Sequence, residues 1–167
     1  ATSPPPVILP DNRIFLSSGY RSDIGALMLK LKVAEGKTDV SVLYELAPKT
    51  FNSEQQTPMF YKGHLLGVRK NGGGRMVCLN LEGKPVWDSG SDRFGHGPYL
   101  LAGELLLALD NRGVLTLARV TPSGYQRLAR HEVFPDGHDA WGPMALVEGR
   151  LILRDMTRMT CLDLRKP

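Results

Sequence analysis

The chain has 167 residues, 42% hydrophobic and 23% charged, a balance that supports a packed core and excludes disorder as the default state. Its 21 Lys and Arg against 17 Asp and Glu give a net charge of +4, spread along the chain, so the nucleic-acid footprint is weak and no nucleic-acid partner is expected. The longest apolar run, Leu105 to Leu109, is far shorter than the roughly 18 to 20 residues of a membrane-spanning helix, and no membrane span is expected.

Ala1 to Pro6 carries neither a basic segment nor an apolar run, so no secretory signal is read there. The 18 Gly and 12 Pro favour many short elements joined by turns. From Pro6 the string P-V-I-L-P-D-N-R-I-F-L reads as a short apolar strand, a turn at Asn12 and a second apolar strand. Gly19 to Asp23 then leads into a third strand, G-A-L-M-L-K-L from Gly25, followed by a long polar link. The same order restarts at Pro58, with its turn at Gly63, a connection from Lys70 to Gly74 and R-M-V-C-L-N-L from Arg75. It returns at Pro98, with its turn at Gly103, a connection from Asp110 to Gly113 and G-V-L-T-L-A-R-V from Gly113. The last copy starts at Pro143, turns at Gly149, connects through Asp155 to Arg158 and continues as R-M-T-C-L-D-L.

The four starts lie 52, 40 and 45 residues apart, close to the roughly 40 to 50 residues of a four-stranded propeller blade. Each string alternates apolar and other residues with the period of a half-buried strand. Asn71-Gly72-Gly73-Gly74 lacks the Lys-Ser/Thr pair and following helix of a phosphate cradle, and reads as a hairpin turn. Superposing the third strands places Met28, Cys78, Thr116 and Cys161 in one column. Equivalent positions in different blades are too far apart for a disulfide, so both cysteines are expected as small buried hydrophobes.

After the third strand of the second copy comes L-N-L-E-G-K-P-V-W, Leu79 to Trp87. With Gly83, Lys84 and Trp87 in place, and Asn80 where an aspartate is usual, this resembles the signature of pyrroloquinoline-quinone-like repeats. In the third copy Pro122 to Arg130 stands where the motif would be, with Tyr125 in a related position. The resemblance implies an all-β fold, a β-propeller with about four consecutive four-stranded antiparallel blades, the last lacking its fourth strand after Leu164. It implies blades at about 5–57, 58–97, 98–142 and 143–167, within a ring of seven or eight. It also implies that Trp87 docks blade against blade, that further blades of the same protein or a second copy complete the ring, and that the location is periplasmic or secreted.

By the same resemblance, loops Thr57 to Pro58, Ser91 to Pro98 and Asp136 to Pro143 line one face of the propeller, and the last two read alike. Each of these two holds an Asp, a His and an aromatic before a Gly-Pro pair, which marks Asp92, Phe94, His96, His138, Asp139 and Trp141 as candidates for partner recognition. The alternative is that Phe94 and Trp141 wedge between blades. A quinone site in this family needs stacking aromatics, a calcium ion on oxygen ligands and, in alcohol-oxidising members, an adjacent cysteine pair. Here Asp88, Asp92, Asp110, Asp136, Asp139, Asp155 and Asp163 are scattered through turns and no such pair exists, so no cofactor is expected. His64, His96, His131 and His138 do not show a metal-ligand spacing, and even the cluster of His131, His138 and Asp139 would put its histidines on opposite faces of a strand. Ser89 lacks a nucleophile elbow. Arg150, Arg154, Arg158 and Arg165 alternate with Glu148, Asp155 and Asp163, a self-compensated surface. The reading that follows is a non-catalytic propeller scaffold presenting loops to a protein or peptide. The alternatives are part of a quinone- and calcium-dependent oxidoreductase, or a carbohydrate binder using Phe94, Tyr99 and Trp141.

Overall fold

The computed structural model describes residues 4–20, 23 and 25–165, and every regular element among them is a β-strand. The first sheet is β1 (Val7–Leu9), β2 (Arg13–Ser17), β3 (Ala26–Ala34) and β4 (Lys37–Leu46), in that order. The second is β5 (Met59–Tyr61), β6 (His64–Arg69), β7 (Arg75–Leu79) and β8 (Pro85–Asp88). The third is β9 (Tyr99–Ala102), β10 (Leu105–Leu109), β11 (Val114–Thr121) and β12 (Gly124–Glu132). The fourth holds three strands, β13 (Ala145–Val147), β14 (Arg150–Arg154) and β15 (Met159–Asp163). These are antiparallel meanders, the blades of a β-propeller. The chain divides into two compact units, residues 1–93 with 122–124, and residues 94–121 with 125–167.

Turn chemistry sets each sheet's register. Asn12, Gly63, Gly103 and Gly149 have φ of 53°, 76°, 64° and 75°, the left-handed region that Gly and Asn tolerate best. A second device closes the turns between strands: a side-chain carbonyl or carboxylate oxygen accepts two backbone N–H groups just ahead of it. Asn80 Oδ1 accepts from Glu82 and Lys84, Asp110 Oδ1 from Arg112 and Val114, and Asp155 Oδ1 from Thr157 and Arg158. Asn80 therefore does in its turn what Asp110 and Asp155 do in theirs, because either side chain offers that oxygen.

Pairing aligns the copies residue by residue. Ile14, Leu65, Leu106 and Leu151 each stand one place past the first pair of their hairpin, opposite Leu29, Leu79, Ala118 and Leu162. The next position, on the other face, holds Phe15, Leu66, Leu107 and Ile152, opposite Met28, Cys78, Leu117 and Cys161. The expected third-strand column is thus corrected at one place: Leu117 belongs to it, and Thr116 points to the opposite face. A second correction concerns the cysteines. Both are free thiols, yet only Cys78 is buried, and Cys161 is exposed because nothing described covers its face of the fourth sheet.

In the first unit Val7, Leu9, Phe15 and Met28 of the first sheet pack with Leu65, Val77 and Leu79 of the second. Phe51, on the link, joins them with its ring tilted 58° to that of Phe15 at 5.7 Å. In the second unit Leu107, Leu109 and Leu115 of the third sheet pack with Leu151 and Leu153 of the fourth, with Leu117 and Leu162 at the margin. The same two facial columns thus meet in both units.

Candidate functional site

The loops at one end of the second unit's strands are held by short-range packing that the sequence dictates. A Cβ on Gly97 would lie 1.7 Å from the Leu109 carbonyl oxygen, and one on Gly137 would lie 2.7 Å from the carbonyl oxygens of Arg112 and Phe134. Only glycine lets these loops approach the β10–β11 turn so closely. Asp136 and Asp139 take φ of 57° and 52°, positions for which aspartate is among the more tolerant side chains.

Asn111, in the Asp110–Gly113 turn, joins the two loops. Its Oδ1 accepts the backbone N–H of His96 at 2.7 Å, and its carbonyl accepts that of Ala140 at 3.4 Å. His96 and Trp141 are thereby brought together, their rings edge to face at 5.3 Å. Trp141 remains 37% exposed. Beside it, His138 Nδ1 lies 3.4 Å from an Asp139 carboxylate oxygen, and both side chains are open to solvent. The His138 carbonyl also accepts the Met156 N–H at 3.4 Å, tying the loop to the Asp155 turn.

Asp155 anchors that turn. Its side chain is fully buried, and its Oδ2 accepts from Arg158 Nη2 at 2.8 Å. Burial alone would raise its pKa, but the hydrogen bonds from Arg158 and from the backbone of Thr157 and Arg158 outweigh burial and hold the carboxyl well below the usual range. Arg158 also donates to the Pro135 carbonyl at 2.9 Å and lies over the Phe134 ring at 5.5 Å. Asn111 is a structural member of this site that sequence reasoning missed, because its partners lie 15 and 29 residues away; Arg158, read from sequence only as part of a self-compensated surface, pairs with Asp155 three residues away and also reaches Pro135.

The remaining candidates fall elsewhere. Asp92 and Phe94 were expected to face a partner, but their relative exposures are 8% and 1%. Asp92 sits in a turn in which Ser89 Oγ donates to its carbonyl at 3.0 Å, and the Phe94 ring is enclosed. Ser89 also accepts the Met76 N–H at 3.1 Å, so its hydroxyl is committed to the turn. Trp87 is half-buried on β8, opposite Cys78. Asp88 pairs with Arg75 at 3.3 Å, Asp110 with Arg130 at 3.2 Å, and Asp163 with Arg165. Among the described residues no three His, Cys, Asp or Glu side chains gather as a metal site. No helix among the described residues is long and apolar enough to cross a membrane.

No family model matches the chain, and no curated protein does. Among solved structures it is similar to BamB from Moraxella catarrhalis, with a TM-score of 0.58 and 14% identity over 95% of this chain. The match covers 41% of that structure's chain, so this sequence spans about two-fifths of its length. At this identity the likeness concerns the fold, and it agrees with four consecutive propeller blades.

Proposed function

We propose that this chain is part of a non-catalytic propeller scaffold of the pyrroloquinoline-quinone-like type that presents loops to a protein or peptide. The blades would run at about 5–57, 58–97, 98–142 and 143–167, with Trp87 docking between blades and the whole outside the cytoplasm. The observation that carries the reading is Trp141: a large ring, restrained by His96 and by a loop that backbone hydrogen bonds tie to Asn111 and Met156, yet more than a third exposed. An anchored, partly exposed aromatic with polar neighbours gives contact area at low entropic cost, which is what recognition surfaces use. His138 and Asp139 supply adjacent hydrogen-bonding groups and opposite charge when the histidine is protonated.

The test is selection of peptide ligands from a displayed library against the whole chain, followed by affinity measurements on variants. Trp141→Ala should weaken the selected ligand at least tenfold and Trp141→Phe much less, with far-UV circular dichroism unchanged. Ligands that bind Trp141→Ala as tightly as the parent would overturn the reading. Glycan binding lost in Trp141→Ala, with no peptide selected, would replace it with carbohydrate recognition, and substrate turnover on adding a quinone and calcium would replace it with catalysis.

A further inference from the structure

Among the described residues, the first and fourth sheets each leave uncovered a face whose counterpart is buried in other blades. On the first sheet the cross-strand row Ile8, Ile14, Leu29 and Val42 lies on one face, flanked by Leu16 with Leu27 and by Leu31 with Val40. Ile8 is 70% exposed and Val42 54%, a contiguous apolar surface of the kind that monomeric proteins rarely leave open. Ile14 stands in the column of Leu65, Leu106 and Leu151, all fully buried. On the fourth sheet the open face carries Ala145, Ile152 and Cys161 in one row, with Met159 beside them. Ile152 stands in the column of Phe15, Leu66 and Leu107, yet is 40% exposed.

The molecule shows twice how these two columns combine. Phe15 and Met28 pack on Leu65 and Leu79 in the first unit, and Leu107 and Leu117 pack with Leu151 and Leu162 in the second. Each pairing sets one column against the other. The open fourth-sheet face belongs to the column of Phe15 and Leu107, and the open first-sheet face to the column of Leu65 and Leu151, so the two are complementary to each other and neither is complementary to itself. Charge agrees at one end: the fourth-sheet face carries Arg154 beside Met159, and the first-sheet face carries Glu45 opposite Leu27, while at the other end of the fourth-sheet face Arg150 stands opposite Asp163. At the same end a depression of about 580 Å³, lined by Leu16, Leu27, Glu45 and Leu46 among others, offers room for a long flexible side chain such as Met159, which is 74% exposed.

We infer that the fourth-sheet face of one copy docks head-to-tail on the first-sheet face of a second copy, repeating between chains the sheet packing found twice within one. Heterologous contacts of this kind close into rings or run on as filaments, and are distinguished from face-to-face dimers by their asymmetry.

The experiment uses the full chain with two surface variants, Val42→Lys on one face and Ile152→Glu on the other, followed by sedimentation velocity. The parent chain should self-associate, each variant alone should associate at least tenfold more weakly, and an equimolar mixture should recover a heterodimer, because each contributes the face the other lacks. In a Leu29→Cys chain, mild oxidation should yield an intermolecular disulfide to Cys161 that disappears on adding Cys161→Ser. A parent chain that stays monomeric overturns the inference, whether the faces are then covered by other blades of a longer polypeptide or by a different partner. A variant that still pairs with itself, or a mixture that does not recover pairing, overturns it in favour of a symmetric or unrelated contact.

Discussion

Phe51 lies on the link between the first two sheets, outside any strand, yet its ring is fully buried against Phe15. Its removal should therefore destabilise the first unit as a core residue would. Phe51→Ala deletes a ring that cannot be replaced by collapse of a sheet on either side, at a cost of about 3 to 5 kcal/mol. Phe51→Leu keeps part of the volume and should lose roughly 1.5 kcal/mol. The structure supplies an internal control in Gly67, where an added Cβ would sit 2.7 Å from Phe51 Cζ. Gly67→Ala alone overpacks the site by about 1 to 3 kcal/mol, whereas on the Phe51→Leu background that methyl enters vacated space. The double variant should then lose at least about 1 kcal/mol less than the two single losses together. Urea unfolding reads this directly, followed by Trp87 emission in a Trp141→Phe background, since Trp87 lies in the first unit. A Phe51→Ala loss below about 1 kcal/mol, or strict additivity of the pair, would refute this account of the link.

Three further outcomes follow from the same geometry. Because the Asp155 carboxyl ionises at lower pH folded than unfolded, its stabilisation is complete above the ordinary carboxylate range near about 4 and is lost as pH falls through and below it. The gap in melting temperature between the parent and Asp155→Asn should therefore be wide at neutral pH and shrink on acidification. A thiol reagent should label Cys161 alone in the native chain, and Cys78 only in denaturant, since burial pushes the Cys78 thiol up to about 11. Asn111→Ala should cost about 1 to 3 kcal/mol by orphaning the His96 N–H and should speed its hydrogen exchange, and Asn111→Asp, which keeps the acceptor oxygen, should restore most of the protection.

The fold was legible because a propeller repeats its local instructions. Proline, apolar strand, left-handed turn residue and second strand recur four times, and each turn residue named from sequence has the positive φ it was chosen for. The misplacement of Thr116 shows where that legibility ends. Connections of different lengths precede the third strands, so aligning them by composition slips the third copy by one residue, and in a strand one residue is a change of face. Cys161 fails for another reason. Its identity and neighbours match those of Cys78, but burial depends on what lies against the sheet, which no alternation within a strand encodes.

The site was legible in outline, and its misreadings separate packing from recognition. The two loops read alike as Asp, His and aromatic ahead of Gly-Pro, but much of that likeness has a steric origin. Gly97 and Gly137 are required by carbonyl oxygens under 3 Å from any added Cβ, and Phe94 fills a closed space. Asn111, which holds both loops, was missed because its hydrogen bonds span 15 and 29 residues and its neighbours look like an ordinary turn. Once the residues with a packing duty are set aside, His138, Asp139 and Trp141 remain. They are exposed on a loop whose backbone is fixed from beneath, so substituting them changes the surface while leaving its support in place, and it is there that recognition can be altered without unfolding the blade.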